Sequence, residues 1–409
     1  MKWRYLLLVS LVLVLLVLPA FGAQPTKKAP KTEVSYPVAV ASSPAFRDLP
    51  VDTTEVTVGN SPGRTIPNPQ LNKAGAAPAP EASFGEDAVR QYKHGNAPAP
   101  SPLINFDGIN NIAGVAPPDT QGDIGPDHYL QWVNLHLAAW SINRATWTQT
   151  LVLGPVTGNS IWSALGGQCA SDNHGDPVVL WDRFRNRWVI SQFSLGAGYG
   201  GPYKTAIAVS KTADPTGAWW LYCYDYHPTT MNDYPKFGVW PDGYYYACNQ
   251  FNGNNWGGAG LMVFEADKMI NGDPTARQLK VDLGAINLNY GGMLPAHFEG
   301  TINPPASSPC YFLEVDDSAW IPPTDALRLW RATVDWTAGT FTAGLAGEPN
   351  LIIPTSNWDF LCGGNRDCIA QPGTSQKLDS LGDRLMYRLQ YRNYGSYEAM
   401  VVNHTVDAG

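Results

Sequence analysis

Apolar, β-branched and aromatic runs recur along this chain in groups of four, and that period limits the fold more than any other feature. Runs at 177–181, 188–193, 205–210 and 219–224 are divided by turn signals such as Asp214-Pro215-Thr216-Gly217. Equivalent groups lie at 120–153, 237–283 and 297–342. The first strands of the groups begin near residues 119, 177, 237, 297 and 375, and the early spacings are about 60 residues. The pattern predicts an all-β fold: a β-propeller of four-stranded blades, about five of them in this chain. A β-sandwich also has many short strands, but it does not repeat in fours with a shared turn pattern. Here 125–129, 241–245 and 381–385 each lead from a Gly/Pro/Asp turn into an apolar second strand. The last group, at 375–379, 385–392 and 399–406, lacks a fourth strand. Either 103–112 supplies it and closes the ring, or the chain is cut short at its C-terminus; open sheet edges are costly in both cases. The end at 401–409, directly after a strand, favours truncation.

Composition agrees. Charged residues make up 15% of the 409, against ~25% in ordinary soluble domains, and there are 40 Gly and 34 Pro. Many turns, many rings and few charges argue against a helical bundle. The net charge of −8 argues against a nucleic-acid partner.

Three segments follow from composition. Residues 1–23 have a basic start (Lys2, Arg4), an apolar run, Pro19 and small residues at Ala20, Gly22 and Ala23. That is a signal peptide, with an apolar run too short for the ~20 residues of a membrane span. A secreted or cell-surface location with no stable membrane span is therefore expected. Residues 24–101 read as a disordered Pro/Ala-rich linker, or a pro-segment, and 102–409 as the propeller domain. Six cysteines in an exported chain imply disulfides. Cys362 and Cys368, around a polar loop, are the first expected pair, and Cys223 with Cys248 the second. The spacings of a zinc site, CxxC or HExxH, do not occur.

Segments 117–129 (PPDTQGDIGPDHY), 175–179 (GDPVV), 233–242 (DYPKFGVWPD) and 376–388 (QKLDSLGDRLMYR) resemble motifs of large, poorly characterised exported bacterial β-propeller proteins. The resemblance covers most of the chain after residue 104. It implies a propeller related in architecture to sialidases and a protein that runs on past this C-terminus. It brings no settled activity. The Asp-box turn of sialidases is approached at 212–219, with one residue too many between Asp214 and Gly217. Arg384, Arg388 and Arg392 fall on one face of one extended strand.

In a propeller the first strands converge on a central channel, and ligands bind at its mouth. The residues opening those strands are the candidates for chemistry. Asp119, Asp176 and Glu299 come from three blades and could act as a glycosidase acid/base set, with Glu299 as the acid. Asp123, His174, Asp233, Tyr234, Lys236, His297, Lys377, Asp379 and Arg384 are the candidate ligand-binding residues. Trp132, Trp181 and Trp240 could stack on sugar rings or pack in the core. The expected role is recognition of an extracellular glycan or protein at the channel mouth, with glycoside hydrolysis as the alternative. No cofactor is expected. A structural calcium ion on Asp119, Asp123 and Asp127, or on Asp172, Asn173 and Asp176, is a further reading, although neither set follows the EF-hand pattern.

Overall fold

The computed structural model describes residues 29–54, 100–318, 321–359 and 367–406. The expected signal peptide, residues 55–99 of the linker and Cys362 lie outside the described residues. Two short strands come first, Glu33–Ser35 (β1) and Ala39–Ser42 (β2). Gln121–Ile124 (β3), His128–Val133 (β4), His136–Asn143 (β5) and Thr148–Thr157 (β6) then form an antiparallel meander. The short helices Gly158–Ile161 (α1) and Gly167–Ser171 (α2) lead to a second meander. It comprises Val178–Asp182 (β7), Arg187–Ser194 (β8), Tyr203–Ser210 (β9) and Trp219–His227 (β10). The third is Thr230–Trp240 (β11), Gly243–Asn252 (β12), Asn255–Phe264 (β13) and Gln278–Asp282 (β14), with the helix Ala266–Met269 (α3) before β14. The fourth is Leu294–Phe298 (β15), Cys310–Asp316 (β16), Ala326–Asp335 (β17) and Thr340–Ala343 (β18), and Leu351–Pro354 (β19) also pairs with β17. Asp367–Ile369 (β20) and Leu378–Asp379 (β21) make a small hairpin, followed by the pair Leu385–Asn393 (β22) and Glu398–His404 (β23).

The sheets stack on one another through three cores, and β12 shows why the first half of its sequence, Tyr244–Cys248, is apolar at every position. Tyr244, Tyr246 and Cys248 point into one core, against Tyr222, Tyr224 and Phe264 of the second and third meanders. Tyr245 and Ala247 point the other way, against Phe312, Trp330 and Tyr391. Alternation is preserved, but both faces are dry, so neither face calls for charge. Burying each such ring contributes about 1.5–3 kcal/mol. A third core, built on Trp132, Trp188 and Trp219, joins the first and second meanders. A disulfide between Cys169 of α2 and Cys223 of β10 crosses the same region. The expected Cys223–Cys248 pair is thus not formed. Cys248 faces the opposite core and is free and buried, as is Cys310. Cys368 is disulfide-bonded.

First strands lie side by side, β3 by β7, β7 by β11 and β11 by β15. β22 pairs with β15 in parallel, with Ala296 opposite Leu389 and Phe298 opposite Tyr391. No ladder joins β22 to β3, so the sheets do not close into a hydrogen-bonded ring. Arg388 bridges that joint instead, donating to the Gly122 carbonyl at 3.2 Å and to Asp123 Oδ2 at 3.1 Å.

Three expectations are corrected. Part of the supposed linker is ordered. β1 extends the third meander (Glu33 opposite Lys280), and β2 extends the second (Ser42 opposite Trp220). Beyond them Phe46 is buried and stacked on Trp219, with ring centroids 4.8 Å apart. These strands lack local partners, and the open edges of β10 and β14 supply them. Residues 103–112 do not form a strand. They cross the first meander as coil, with Phe106 against Trp140 and the Ile109 N–H on Gln131 Oε1 at 2.9 Å. The last two first strands were also placed out of frame: β15 starts at Leu294 rather than 297, and the strand beside it is β22 rather than 375–379.

Candidate functional site

A residue of left-handed φ stands just ahead of four of these strands, Asp119 (φ 40°), Asp176 (45°), Gly292 (65°) and Leu381 (46°), and in β11 it lies at the bulge inside the strand, Tyr234 (53°). These residues mark a common end of the strands, called here the entry end. For a bulky side chain this conformation is strained, by about 1–3 kcal/mol. Tyr234, which precedes Pro235 at a bulge in β11, is the clearest case. The turn throws the side chains at and beside these residues toward one another.

Asp119, Asp176, Asp233, Tyr234, Lys236 and Arg384 meet at the entry end. Asn134 Nδ2 donates to Asp119 Oδ2 at 2.7 Å and to the Pro117 carbonyl at 3.1 Å. Asp119 and Asp176 are hydrogen-bonded to each other. Burial raises Asp119, against the pull of Lys236 and Asn134. Burial, then the neighbouring charges of Asp119 and Asp233, lift Asp176 well above the usual carboxylate range. Asp233 is pushed up to about 6 by burial, although Arg384 and Lys236 oppose the shift. Burial lowers Lys236, and the three carboxylates counter it. The Lys236 ammonium lies 3.8 Å from the centroid of the Tyr234 ring, and the Arg384 guanidinium 4.5 Å from it. Arg384 is itself held by Asp383 at 2.9 and 3.1 Å. Gly292 leaves room for this arm, since a Cβ there would stand 2.9 Å from Arg384 Cβ. Asp119, Asp176 and Tyr234 are part-exposed, while Asp233, Lys236 and Arg384 are buried beneath them. The result is a polar cluster with acceptors, donors and one ring face, part-exposed at Asp119, Asp176 and Tyr234.

The other candidates lie elsewhere. Asp123 is four residues past Asp119, about 13 Å along an extended strand. It joins a second group at the far end of the first strands. There Arg388 Nη1 lies 3.1 Å from both Asp123 and Glu299, and Arg183 Nη2 lies 3.1 Å from Glu299. His297 Nε2 is 3.7 Å from Glu299 and 4.0 Å from Asp123, and its Nδ1 accepts the Val239 N–H at 3.2 Å. Burial, with Arg388 and Arg183 nearby, keeps His297 neutral by lowering it well below its usual value. The frame shift of β15 explains this placement: His297 and Glu299 end their strand instead of opening it. Glu299 therefore belongs with two guanidiniums and not with the Asp119–Asp176 pair.

His174 accepts the Leu195 N–H at 2.9 Å, beside Tyr199. Asp379 caps the Leu381 N–H at 2.8 Å, and Lys377 is exposed on the small hairpin. Trp132, Trp181 and Trp240 are all core residues. Arg384, Arg388 and Arg392 separate: one at the entry end, one at the joint, and one over Tyr394. The carboxylates suggested for calcium are drawn into different bonds. Asp119 goes to Asn134, Asp123 to the Trp181 N–H and Arg388, and Asp172 to Ser194 and the Gly196 N–H. No group of three metal-ligating side chains occurs among the described residues.

Residue-level reasoning missed Asn134, Asn249, Asp383 and Arg183, and noted Arg388 only as one of three arginines on a strand face. Asn249, whose Oδ1 accepts the Gly292 N–H at 2.8 Å, had a readable signal: it is an amide in a strand of aromatics. A buried amide in such a strand needs a partner.

No protein-family model matches the chain, and no curated protein sequence matches it. Solved structures give weak similarity. An exo-β-1,3-galactanase from Clostridium thermocellum is 14% identical over 55% of this chain and 48% of that one, with a TM-score of 0.32. A GH43 endo-arabinanase from Bacillus licheniformis is 11% identical over 62% and 84%, with a TM-score of 0.30. A family 117 glycoside hydrolase from Zobellia galactanivorans is 10% identical over 65% and 81%, with a TM-score of 0.31. This chain spans about half the length of the first of these. A likeness this weak carries neither fold nor activity across.

Proposed function

We propose that the chain is an exported β-propeller whose blades are the stacked meanders, and that it recognises a glycan at the entry end of its first strands. The motifs it shares with exported bacterial propeller proteins, and the leader-like residues 1–23, support this location and architecture. One observation carries the function: three carboxyls from three sheets converge with Lys236, Arg384 and Tyr234 in a part-exposed cluster. A sugar offers hydroxyls to such acceptors and donors, and C–H faces to a ring. Hydrolysis ranks second because the Asp119–Asp176 pair is in hydrogen-bond contact. Glycosidase carboxyls stand about 5–9.5 Å apart, with the scissile bond between them. The proton that this pair retains favours the hydrolytic reading, with Asp233 as the second carboxylate.

The test is a glycan array on the full chain, with hydrolysis of the same sugars measured in parallel. Recognition requires binding without cleavage that falls at least tenfold in Asp176→Asn and is unchanged in Glu299→Gln. Cleavage abolished by Asp176→Asn makes the protein a hydrolase. Binding indifferent to both Asp176→Asn and Lys236→Met overturns the site.

A further inference from the structure

A recess lies apart from the entry-end group. It is a cavity of about 240 Å³ at the β12–β13 hairpin, walled by β14, the turn before β11, and β1. Its polar wall is already organised. Gln250 Nε2 donates to Asp282 Oδ1 at 2.6 Å, and Gln250 Oε1 accepts from the Tyr226 hydroxyl at 2.7 Å. The Gly284 N–H donates to the same Asp282 oxygen at 2.9 Å. Oδ2 of Asp282 has no hydrogen-bond partner among the described residues and remains an acceptor. His227 accepts the Thr230 N–H through Nδ1 at 2.9 Å, which fixes the tautomer and leaves Nε2–H as a donor. Burial lowers the His227 pKa, so the ring is neutral. Trp256 lines the recess half-buried, braced edge-on by Phe251 at 5.3 Å, and its Nε1 is taken by the Leu288 carbonyl. Its indole therefore offers ring surface and no donor.

We infer that this recess binds a single neutral pyranose unit of a glycan. An acceptor carboxylate, a neutral donor and a half-open indole match the hydroxyls and C–H face of a sugar ring. The charges argue against ionic ligands. Lys280 lies 3.0 Å from Glu33 and 5.0 Å from the Tyr226 ring centroid, which leaves it paired. An anion would face both Glu33 and Asp282. The volume is below the ~300–1,000 Å³ of sites for drug-sized ligands, so one ring fits and a longer chain would leave through the open side. Glu33 comes from β1, so docking of the N-terminal strands completes the wall. None of its lining residues belongs to the entry-end group, so the inference does not depend on that site.

The experiment is saturation-transfer NMR and calorimetry on the full chain with methyl glycosides of galactose, glucose, mannose and xylose, and glucuronate as the anionic control. Saturable binding of at least one neutral glycoside is expected, with no binding of glucuronate. In an Asp176→Asn background, which removes the entry-end site, affinity should fall at least tenfold when Trp256→Ala is added. If Trp256→Ala misfolds, the double variant Asn252→Ala/Asn255→Ala, on exposed positions lining the same recess, should weaken binding instead. The proposal is overturned if no glycoside binds saturably. It is equally overturned if no glycoside binds in the Asp176→Asn background, or if binding there is indifferent to the recess variants.

Discussion

At the scale of single residues, Asp233 shows how the entry end links chemistry to stability. Its carboxyl titrates at about 6 in the folded protein, because burial outweighs Arg384 and Lys236. An unfolded Asp titrates near ~3.9. The native state therefore holds this proton more tightly, and the associated stability is present in full below about pH 4 and lost as pH rises through 6. Asp119 and Asp176 shift in the same direction. We expect the urea unfolding free energy of the wild type to fall between pH 4 and 7. Asp233→Asn should reduce that fall by on the order of 1–3 kcal/mol. Equal slopes for the two proteins would show that Asp233 is ionised throughout that range. The positive φ at Asp119, Asp176 and Tyr234 fits the same picture: the backbone is held in costly conformations where carboxyls and a ring must converge.

Elements are where the sequence reading succeeded and failed most visibly. The strands of the second meander were expected within a few residues of where they lie, because Trp, Tyr and Val runs between Gly/Pro turns are unambiguous. β1 and β2 were not expected, since three- and four-residue strands in a Pro-rich segment have no periodicity, and their partners are more than 170 positions away. They matter nonetheless. Deleting residues 29–54 would uncover the edges of β10 and β14 and the apolar face of Trp219 under Phe46. Exposed, regular edges template association. We expect the truncated chain to elute as oligomers in size-exclusion chromatography where the full chain is monodisperse. A monomeric truncated chain of unchanged stability would mean that these strands are ornament. The frame of β15 was also misread: His297-Phe298-Glu299 looks like a strand opening, while the Pro at Leu294-Pro295-Ala296 hides the true one. That slip of three residues moved Glu299 to the wrong end of the first strands.

Across the whole molecule, the joint between β22 and β3 depends on side chains. Arg388 there ties Asp123, Glu299 and the Gly122 carbonyl, and both Arg388 and Asp123 are largely buried. Removing one partner of a buried pair leaves the other uncompensated, at about 3–5 kcal/mol. We expect Arg388→Met to destabilise by that amount at pH 7. The deficit should shrink toward pH 4, because Asp123 is already raised by burial and would rise further without the guanidinium. Denaturant titrations at the two pH values measure this. A deficit independent of pH would assign the loss to packing alone.

What the sequence by itself determined is the all-β strand content, and the places of the strands in the first and second meanders to within a few residues. These are local properties, written in turn chemistry and two-residue alternation. The tertiary structure alone decided which carboxyls meet. Asp119, Asp176 and Asp233 share one end of adjacent strands, while Asp123 and Glu299 share the other. It also decided that Cys223 pairs with Cys169, and that the N-terminal strands complete two sheets and one wall of the recess at Trp256. The reason is physical: strand frame and sheet-to-sheet packing bring together residues tens to hundreds of positions apart, and a shift of two or three residues moves a side chain along the strand axis without changing the pattern that reveals the strand.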